Sequence, residues 1–279
     1  MRTFNTPHPI LAEIDLPFGA AHLIAGERSD TTIVVNPTDP SRTADVETAK
    51  RTRIDLSGST LIVKVPKSSR GSVDVTIELP ESSQLLFKGG LADLRVDGRF
   101  ADTRIQNGAG DVRLDETDHV KVVTGAGRVS VNHVGGDGEV TAAGDIEIVS
   151  IGGNADIKNL NGRTWVGQVS AHLRVRSANG DIAADRVGSD VAARTANGNI
   201  EIGEVSAGSS SLATGSGSVS IGIGNGTIAW VDAHTKFGRV NNSLEAAGRP
   251  DPDAKTVEIS ARTGFGDITV HRSNQGGSN

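Results

Sequence analysis

The sequence has no cysteine and no tyrosine, and aromatic residues make up only 3% of its 279 positions. Without cysteine, the chain forms neither disulfides nor thiolate metal sites. The formal net charge of −6 lacks the basic excess that is typical of general nucleic-acid-binding proteins. No run of about 18 apolar residues occurs, so the sequence predicts no membrane-spanning helix.

The start of the chain also lacks the features of a secretory signal. Residues 1–13 contain one arginine but no continuous apolar core and no small-residue cleavage site. If the chain is full length, we therefore expect it in the cytoplasm.

Glycine, by contrast, is abundant, with 35 residues, and it recurs in a pattern. A glycine, a polar or charged residue and usually a valine or isoleucine follow one another at Gly110, Gly127, Gly144, Gly162, Gly180, Gly198, Gly217, Gly238 and Gly266. Successive repeat glycines are 17, 17, 18, 18, 18, 19, 21 and 28 residues apart. A period this short is typical of stacked coils. The repeat predicts an all-β fold, a parallel β-solenoid or β-helix with coils of about 18 residues.

Positions counted from each repeat glycine show how a coil is built. Positions +2 and +4, and likewise −5 and −7, are mostly apolar and alternate with polar residues, which predicts two strands joined by a corner at the glycine. In the third repeat this count places Glu139 and Asp137 inward. Position −3 holds only Asn, Ser or Thr, and we expect these side chains to hydrogen-bond one another from coil to coil. A further apolar column lies at +7.

Three segments are predicted along the chain. Residues 1–83 form a β-rich N-terminal cap or the first irregular coils, with candidate strands at 11–16, 21–25, 31–35, 60–65 and 72–79; a separate β-domain is the alternative. Residues 84–272 form the solenoid, and the two prolines near residue 250 place an excursion at residues 244–255. Residues 273–279 form a disordered tail.

The repeats also resemble a known group. The segments at 177–182 and 195–200, with the late segment 237–242, resemble bacterial β-strand-repeat proteins that are grouped as a domain of unknown function and described as adhesin-like. The resemblance covers roughly residues 4–272. It implies an all-β, solenoid-like fold and no established catalytic residues.

The position directly after the repeat glycine alternates in charge, with Asp111, Arg128, Asp145, Arg163 and Asp181 on consecutive repeats. We interpret this column as a ladder of ion pairs between coils. Calcium-binding nonapeptide repeats place their acid two residues beyond the glycine, so the pattern does not favour calcium. The seven histidines show no metal-ligand spacing, and neither a metal nor a cofactor is predicted.

The candidate binding residues are four cations on three successive coils, Lys158, Arg174, Arg176 and Arg194, together with Trp165. Adjacent like charges repel unless an anionic partner lies across them. A solvated face relieved by Asp156 and Asp185 is the alternative. Trp165 is predicted to point outward, where it either stacks on a sugar or a partner, or simply packs over a loop.

No nucleophile elbow, phosphate loop or dinucleotide fingerprint occurs in the sequence. We therefore predict a non-catalytic structural or protein-interaction scaffold, with a protein or anionic partner on one flat face and with self-association as a variant. The alternative is a carbohydrate-binding or polysaccharide-active β-helix protein, which requires long loops and clustered acids.

Overall fold

The computed structural model describes residues 1–67, 70–244 and 255–273. Strands make up 71% of it and helix 3%, which confirms the predicted all-β solenoid class. The chain divides into two compact units, Met1–Ala143 and Gly144–Asn279. No helix in the described ranges is long and apolar enough to cross a membrane.

The described residues of the first unit form ten strands and one helix. In chain order these are β1 (Arg2–Asn5), β2 (Leu11–Gly26), β3 (Asp30–Pro37), α1 (Thr43–Arg51), β4 (Arg53–Ser57), β5 (Thr60–Lys64), β6 (Val73–Pro80), β7 (Gln84–Ala109), β8 (Val112–Ala126), β9 (Val129–Val134) and β10 (Gly138–Ala142).

Parallel stacking in this unit includes strand β2. Leu23 pairs with Val96 of β7, Val96 pairs with Leu114 of β8, and Leu114 pairs with Val131 of β9. All four side chains are buried. Every second residue of each strand points inward, and the inward side chains of successive strands lie on one another in a continuous apolar column.

Antiparallel strands close the far side of this stack. Strands β5 and β6 lie parallel to β2, but β3 runs antiparallel to β6, β4 antiparallel to β5, and β1 antiparallel to β3. Such strands interrupt the parallel edge onto which further coils would add.

Helix α1 lies within residues 36–51, where the sequence pattern predicts neither a strand nor a helix. Its residue Asp45 is only 1% exposed and accepts the backbone N–H of Ser72 at 3.0 Å. A β-carbon at Gly71 would lie 2.2 Å from the carbonyl oxygen of Ala44, so the backbone of α1 packs directly against the residues that precede β6. The helix is thus fastened to the end of the first unit.

The second unit contains thirteen strands in its described part. They are β11 (Ile146–Ile151), β12 (Ala155–Asn161), β13 (Thr164–Val169), β14 (Leu173–Asn179), β15 (Ile182–Val187), β16 (Val191–Asn197), β17 (Ile200–Val205), β18 (Gly208–Ser216), β19 (Val219–Ile223), β20 (Ile228–Phe237), β21 (Val240–Asn242), β22 (Thr256–Phe265) and β23 (Ile268–Arg272).

The predicted columns exist in this unit. Ile146, Thr164, Ile182 and Ile200 are partners on successive coils and are all buried. The strands before the corners, β12, β14, β16 and β18, form one parallel ladder, and the strands after the corners form another.

The last coils do not stack in chain order. Strand β22 lies between β18 and β20, and β23 lies between β19 and β21. The coil made of residues 256–272 is therefore inserted between two coils that precede it in sequence. Both coils follow the same repeat positions, so the repeat pattern does not reveal that their order in the stack differs from their order in the sequence. The excursion expected at residues 244–255 falls mostly outside the described residues, as does the tail at 273–279 apart from Ser273.

The corner at Gly144 differs from the others. Gly127 and Gly162 adopt positive φ angles of 114° and 109°, whereas Gly144 does not lie in that region. Val140, not Glu139, aligns with the inward Val122. The inward placement predicted for Glu139, Asp137 and Thr141 is thus wrong by one residue, because this corner lacks the extra residue that the other corners use.

Most polar side chains at position −3 bond to backbone rather than to one another, and Ser177 Oγ has no hydrogen-bond partner among the described residues, so the predicted side-chain ladder is wrong. Thr214 Oγ1 donates to the carbonyl oxygen of Gly198 at 2.8 Å, and Thr195 Oγ1 donates to that of Gly180 at 3.2 Å. The same contact to the repeat glycine of a neighbouring coil is made by Asn159, Thr235 and Thr263. Each of these bonds fastens one coil to the next at its corner.

The acids after the repeat glycines also bind backbone. Asp145 Oδ1 accepts the N–H of Arg163 at 3.0 Å, and Asp181 Oδ1 accepts the N–H of Asn199 at 2.7 Å. No ion pair of the described residues joins two side chains of this column. The ladder of ion pairs is therefore wrong; the acids serve as acceptors for the next corner's N–H group.

Candidate functional site

Three of the candidate cations stack directly on one another. Lys158 of β12 pairs with Arg176 of β14, which pairs with Arg194 of β16. All three side chains are exposed on the outer side of this ladder. We call Lys158, Arg176 and Arg194 the cationic column. Arg174 is also exposed, two residues from Arg176 on the same side of β14.

The cationic column takes part in no ion pair of the described residues. Neighbouring strands lie about 4.8 Å apart, so its charges follow one another at that spacing. Within the described ranges, none of its members forms an ion pair, and neither does Arg174, although Asp156 is its direct register partner. Like charges directly opposite each other on a sheet are destabilising.

The acids expected to relieve these charges have other surroundings. Asp156 Oδ1 is buried and has no hydrogen-bond partner, and Asp185 Oδ1 accepts the indole N–H of Trp165 at 3.0 Å. Among the described residues, neither acid forms an ion pair with a member of the column.

Most outward positions beside and above the cationic column carry small side chains, namely Ala178, Ala192, Ala196, Ser211, Ala213 and Gly215. Leu160, two residues from Lys158 on the same side of β12, is a large apolar exception and is 62% exposed. Because the residues above the column are short, its charged side chains protrude from this side of the ladder.

Trp165 does not join this surface. It lies on β13, beyond the corner at Gly162, in the other ladder of the coil. Its ring is half-buried, and a β-carbon at Gly167 would lie 3.2 Å from the ring's Cη2 atom. The ring thus packs along its own strand, with the indole N–H bound to Asp185.

An unpredicted polar groove occurs in the first unit. It has a volume of about 440 Å³, and His22, Asp74, Arg95 and Arg113 are among its lining residues. Beside it, His22 Nε2 lies 2.6 Å from Asp97 Oδ2. His22 and Arg95 are far apart in sequence and are brought together only by the pairing of β2 with β7, so no local motif signals this cluster.

The electrostatics of this cluster centre on Asp97. Burial raises its pKa, but the hydrogen bonds from His22 and Arg95 more than offset this effect and hold the pKa below its ordinary value. Arg95 Nε donates to both carboxylate oxygens, at 3.0 and 2.9 Å. Acids and bases are mixed here, so the groove carries no single sign of charge. In the described part of the chain, no three His, Cys, Asp or Glu side chains are grouped for a metal ion.

An asparagine ladder crosses the corners beside the cationic column. Asn179 Nδ2 donates to Asn161 Oδ1 at 3.1 Å, and Asn197 Nδ2 donates to Asn179 Oδ1 at 2.9 Å. The asparagine that precedes the glycine in all three repeats is the sequence signal for it. In β20 and β22 the same position holds Phe237 and Phe265, whose rings stack at 4.9 Å.

The family model described as Toastrack DUF4097 matches residues 21–277. No curated protein matches the chain. Among solved structures, a candidate adhesin from Bacteroides fragilis is 13% identical, with 96% of this chain and 95% of that chain covered and a TM-score of 0.34. A candidate adhesin from Parabacteroides distasonis is 10% identical, with 97% and 95% covered and a TM-score of 0.32. A candidate lipid-binding protein from Parabacteroides distasonis is 12% identical, with 96% and 95% covered and a TM-score of 0.33.

Proposed function

This chain belongs to the Toastrack DUF4097 family, a domain of unknown function, and we propose that it is a non-catalytic, adhesin-like interaction scaffold. Its binding surface is the cationic column with the small residues around it. The partner is an acidic protein surface.

The unpaired like charges of the column carry this proposal. Three cations in register on consecutive coils repel one another, and no acid of the described residues forms an ion pair with them. Carboxylates of a partner that lie along the column would attract these cations and offset the repulsion among them. Charge complementarity of this kind sets specificity and association rate more than affinity.

The rigidity of the surface supports the same proposal. Arg176 and Arg194 lie in strands that are paired on both sides, and Lys158 lies in β12, which is paired with β14, so their backbone positions are fixed before binding. Binding therefore orders only the side chains, and the entropic cost of association is reduced.

Short connections support a non-catalytic role. In residues 146–205, successive strands are separated by only two or three residues, which leaves no long loop to build a groove for catalysis. Trp165, the residue expected either to stack on a sugar or a partner or to pack over a loop, lies with its ring against Gly167, which does not favour the carbohydrate-binding alternative.

The proposal is tested with poly-L-glutamate as a defined acidic probe, in titrations followed by fluorescence anisotropy. Wild type should bind it with an affinity that falls as salt rises, because exposed charges are screened. The double variant Arg176→Gln with Arg194→Gln should lose at least about tenfold in affinity, which corresponds to about 1.4 kcal/mol.

The matched control neutralises two exposed cations of the first unit, Lys88→Gln with Arg104→Gln. It changes net charge by the same amount and should leave binding nearly unchanged. Equal losses in both double variants would show that only overall charge matters, and an absence of binding by wild type at low salt would overturn the proposal.

A further inference from the structure

In the described part of the chain, the terminal coil of the second unit, β20 with β21, pairs with other strands on one side only. Strand β20 pairs with β22, and no strand among the described residues pairs with its other edge. Val231 and Ala233, which occupy inward columns, are half-exposed, whereas their partners Ile259 and Ala261 in β22 are buried. Trp230 is 70% exposed.

The open edge also presents unpaired backbone groups. Alternate residues of a strand direct their N–H and C=O groups to opposite sides. The N–H of Ile228 donates to Lys255 at the start of β22, so the backbone of Ala229, Val231, Ala233 and Thr235 faces the open side. A long, flat edge of this kind is a template for pairing with another strand.

We propose that β20 pairs antiparallel with β20 of a second copy of this chain, about a two-fold axis that passes beside Ala233. Isologous contacts of this type use the same surface patch on both copies. In this register Asp232 lies opposite the partner's His234, and Trp230 lies opposite the partner's Lys236. Each contact occurs twice.

The side chains of the strand select this register. Inward residues must face inward residues, so only shifts by two residues are allowed. A pairing centred on Asp232 sets that carboxylate against its own copy, and a pairing centred on His234 sets two histidines against each other. The pairing centred on Ala233 instead joins Asp232 to a potential cation and a lysine ammonium to the face of an indole ring.

A second copy fits the edge because symmetry preserves the two sides of the sheet. The axis is perpendicular to the ladder that contains β20, so inward residues of both copies stay on the inner side. The backbone groups of Val231, Ala233 and Thr235 then find partners in the other copy. This inference goes beyond the proposed function, because the contact leaves the cationic column uncovered.

Sedimentation velocity over a wide range of protein concentration tests the dimer. Asp232→Lys should raise the dimer dissociation constant at least about tenfold, because it replaces the carboxylate opposite the partner's His234 with an ammonium group. It also removes the exposed ion pair between Asp232 and Arg262, at 3.0 Å. Adding His234→Glu to this variant should restore the dimer although that intramolecular ion pair remains lost.

Ala233→Pro provides a second variant. The N–H of Ala233 faces the open side, so proline removes no hydrogen bond of the monomer but blocks pairing at the axis. The variant should sediment as a monomer with an unchanged circular dichroism spectrum.

Crosslinking tests the register. Because the chain has no cysteine, Ala233→Cys introduces a single thiol, which should crosslink to its copy through a short bismaleimide. Ala196→Cys, at an exposed outward position of a coil that is paired on both sides, is the control and should not crosslink. A wild-type monomer at every concentration would overturn the proposal, as would a dimer indifferent to Asp232→Lys and Ala233→Pro. A monomer with exchange-protected amides at Val231 and Ala233 would show that another part of the same chain covers the edge, and would also overturn it.

Discussion

Thr214 donates its hydroxyl proton to the carbonyl oxygen of Gly198, 2.8 Å away on the neighbouring coil. The same bond recurs at other corners of the second unit, and in the first unit Asn107 makes it to Ala92 at 2.7 Å. At these corners the polar side chain at position −3 is explained by a backbone acceptor on the neighbouring coil, which in the second unit is the repeat glycine.

Removal of this hydroxyl should destabilise the protein. Thr214→Val keeps the shape of the side chain but leaves the Gly198 carbonyl without its donor, at a cost of about 1–3 kcal/mol in the free energy of unfolding. Thr214→Ser should recover most of that loss. Urea denaturation of the three proteins measures the difference, and equal values for valine and serine would contradict the role of the bond.

The corner glycines should resist substitution. Gly198 has a φ of 144°, and a β-carbon there would lie 2.2 Å from the carbonyl oxygen of Gly180. Gly198→Ala should therefore cost about 2 kcal/mol or more, since it combines backbone strain with a clash. Gly26→Ala is the control, because a β-carbon at Gly26 meets nothing within 4 Å. Thermal unfolding should leave this control near wild type.

A charge placed in the inward column should be far more damaging than one placed outward. Ile148 is completely buried, and Ile148→Asp should cost about 3 kcal/mol or more. The neighbouring Val149 is 46% exposed, so Val149→Asp should have a small effect. A thermal melt of Ile148→Asp that matches wild type would show that position +4 does not face a core.

The acids after the repeat glycines should act through hydrogen bonding rather than through charge. Asp181→Asn keeps an acceptor for the N–H of Asn199 and should be nearly neutral, as Asn199 itself performs this role for Ser218. Asp181→Ala should cost about 1 kcal/mol. Urea denaturation at low and high salt separates the two explanations, because an ion-pair ladder would make the asparagine variant as unstable as alanine at low salt.

The Asp97 cluster should contribute stability that depends on pH. Its folded-state pKa lies below the ordinary value of about 3.9, so its contribution is present above that value and is lost as pH falls through the folded-state pKa. Asp97→Asn should thus lower the unfolding temperature at neutral pH and have little effect at strongly acidic pH. Asp102→Asn, at a carboxylate without an ion pair in the described residues, should shift the unfolding temperature little at either pH.

The repeat period made much of the second unit predictable. Ile146, Ile182 and Ile200 were placed in one inward column from spacing alone, and they are register partners of successive coils. The cationic column followed from the same count, because a constant period of 18 residues puts Lys158, Arg176 and Arg194 at the same position of three successive coils. Whether this column binds a partner stays a prediction.

Features that interrupt the period were not predictable from it. Glu139 was misplaced because a spacing of 17 residues does not reveal which part of the coil is shorter. The partners of the −3 side chains were also missed, since sequence columns show which residues stack but not the backbone groups at a corner. Helix α1 has no repeat to mark it, and its anchor is a single buried carboxylate, Asp45.

The position of β22 and β23 has a consequence for how the molecule is completed during synthesis. When residue 242 leaves the ribosome, β23, the strand with which β21 pairs in the folded protein, has not yet been synthesised. The coils therefore cannot all stack in the order of their synthesis. Strands β22 and β23 must insert between strands that are synthesised before them. Once there, the last strands are held from both sides, so the carboxyl-terminal layer is protected from fraying.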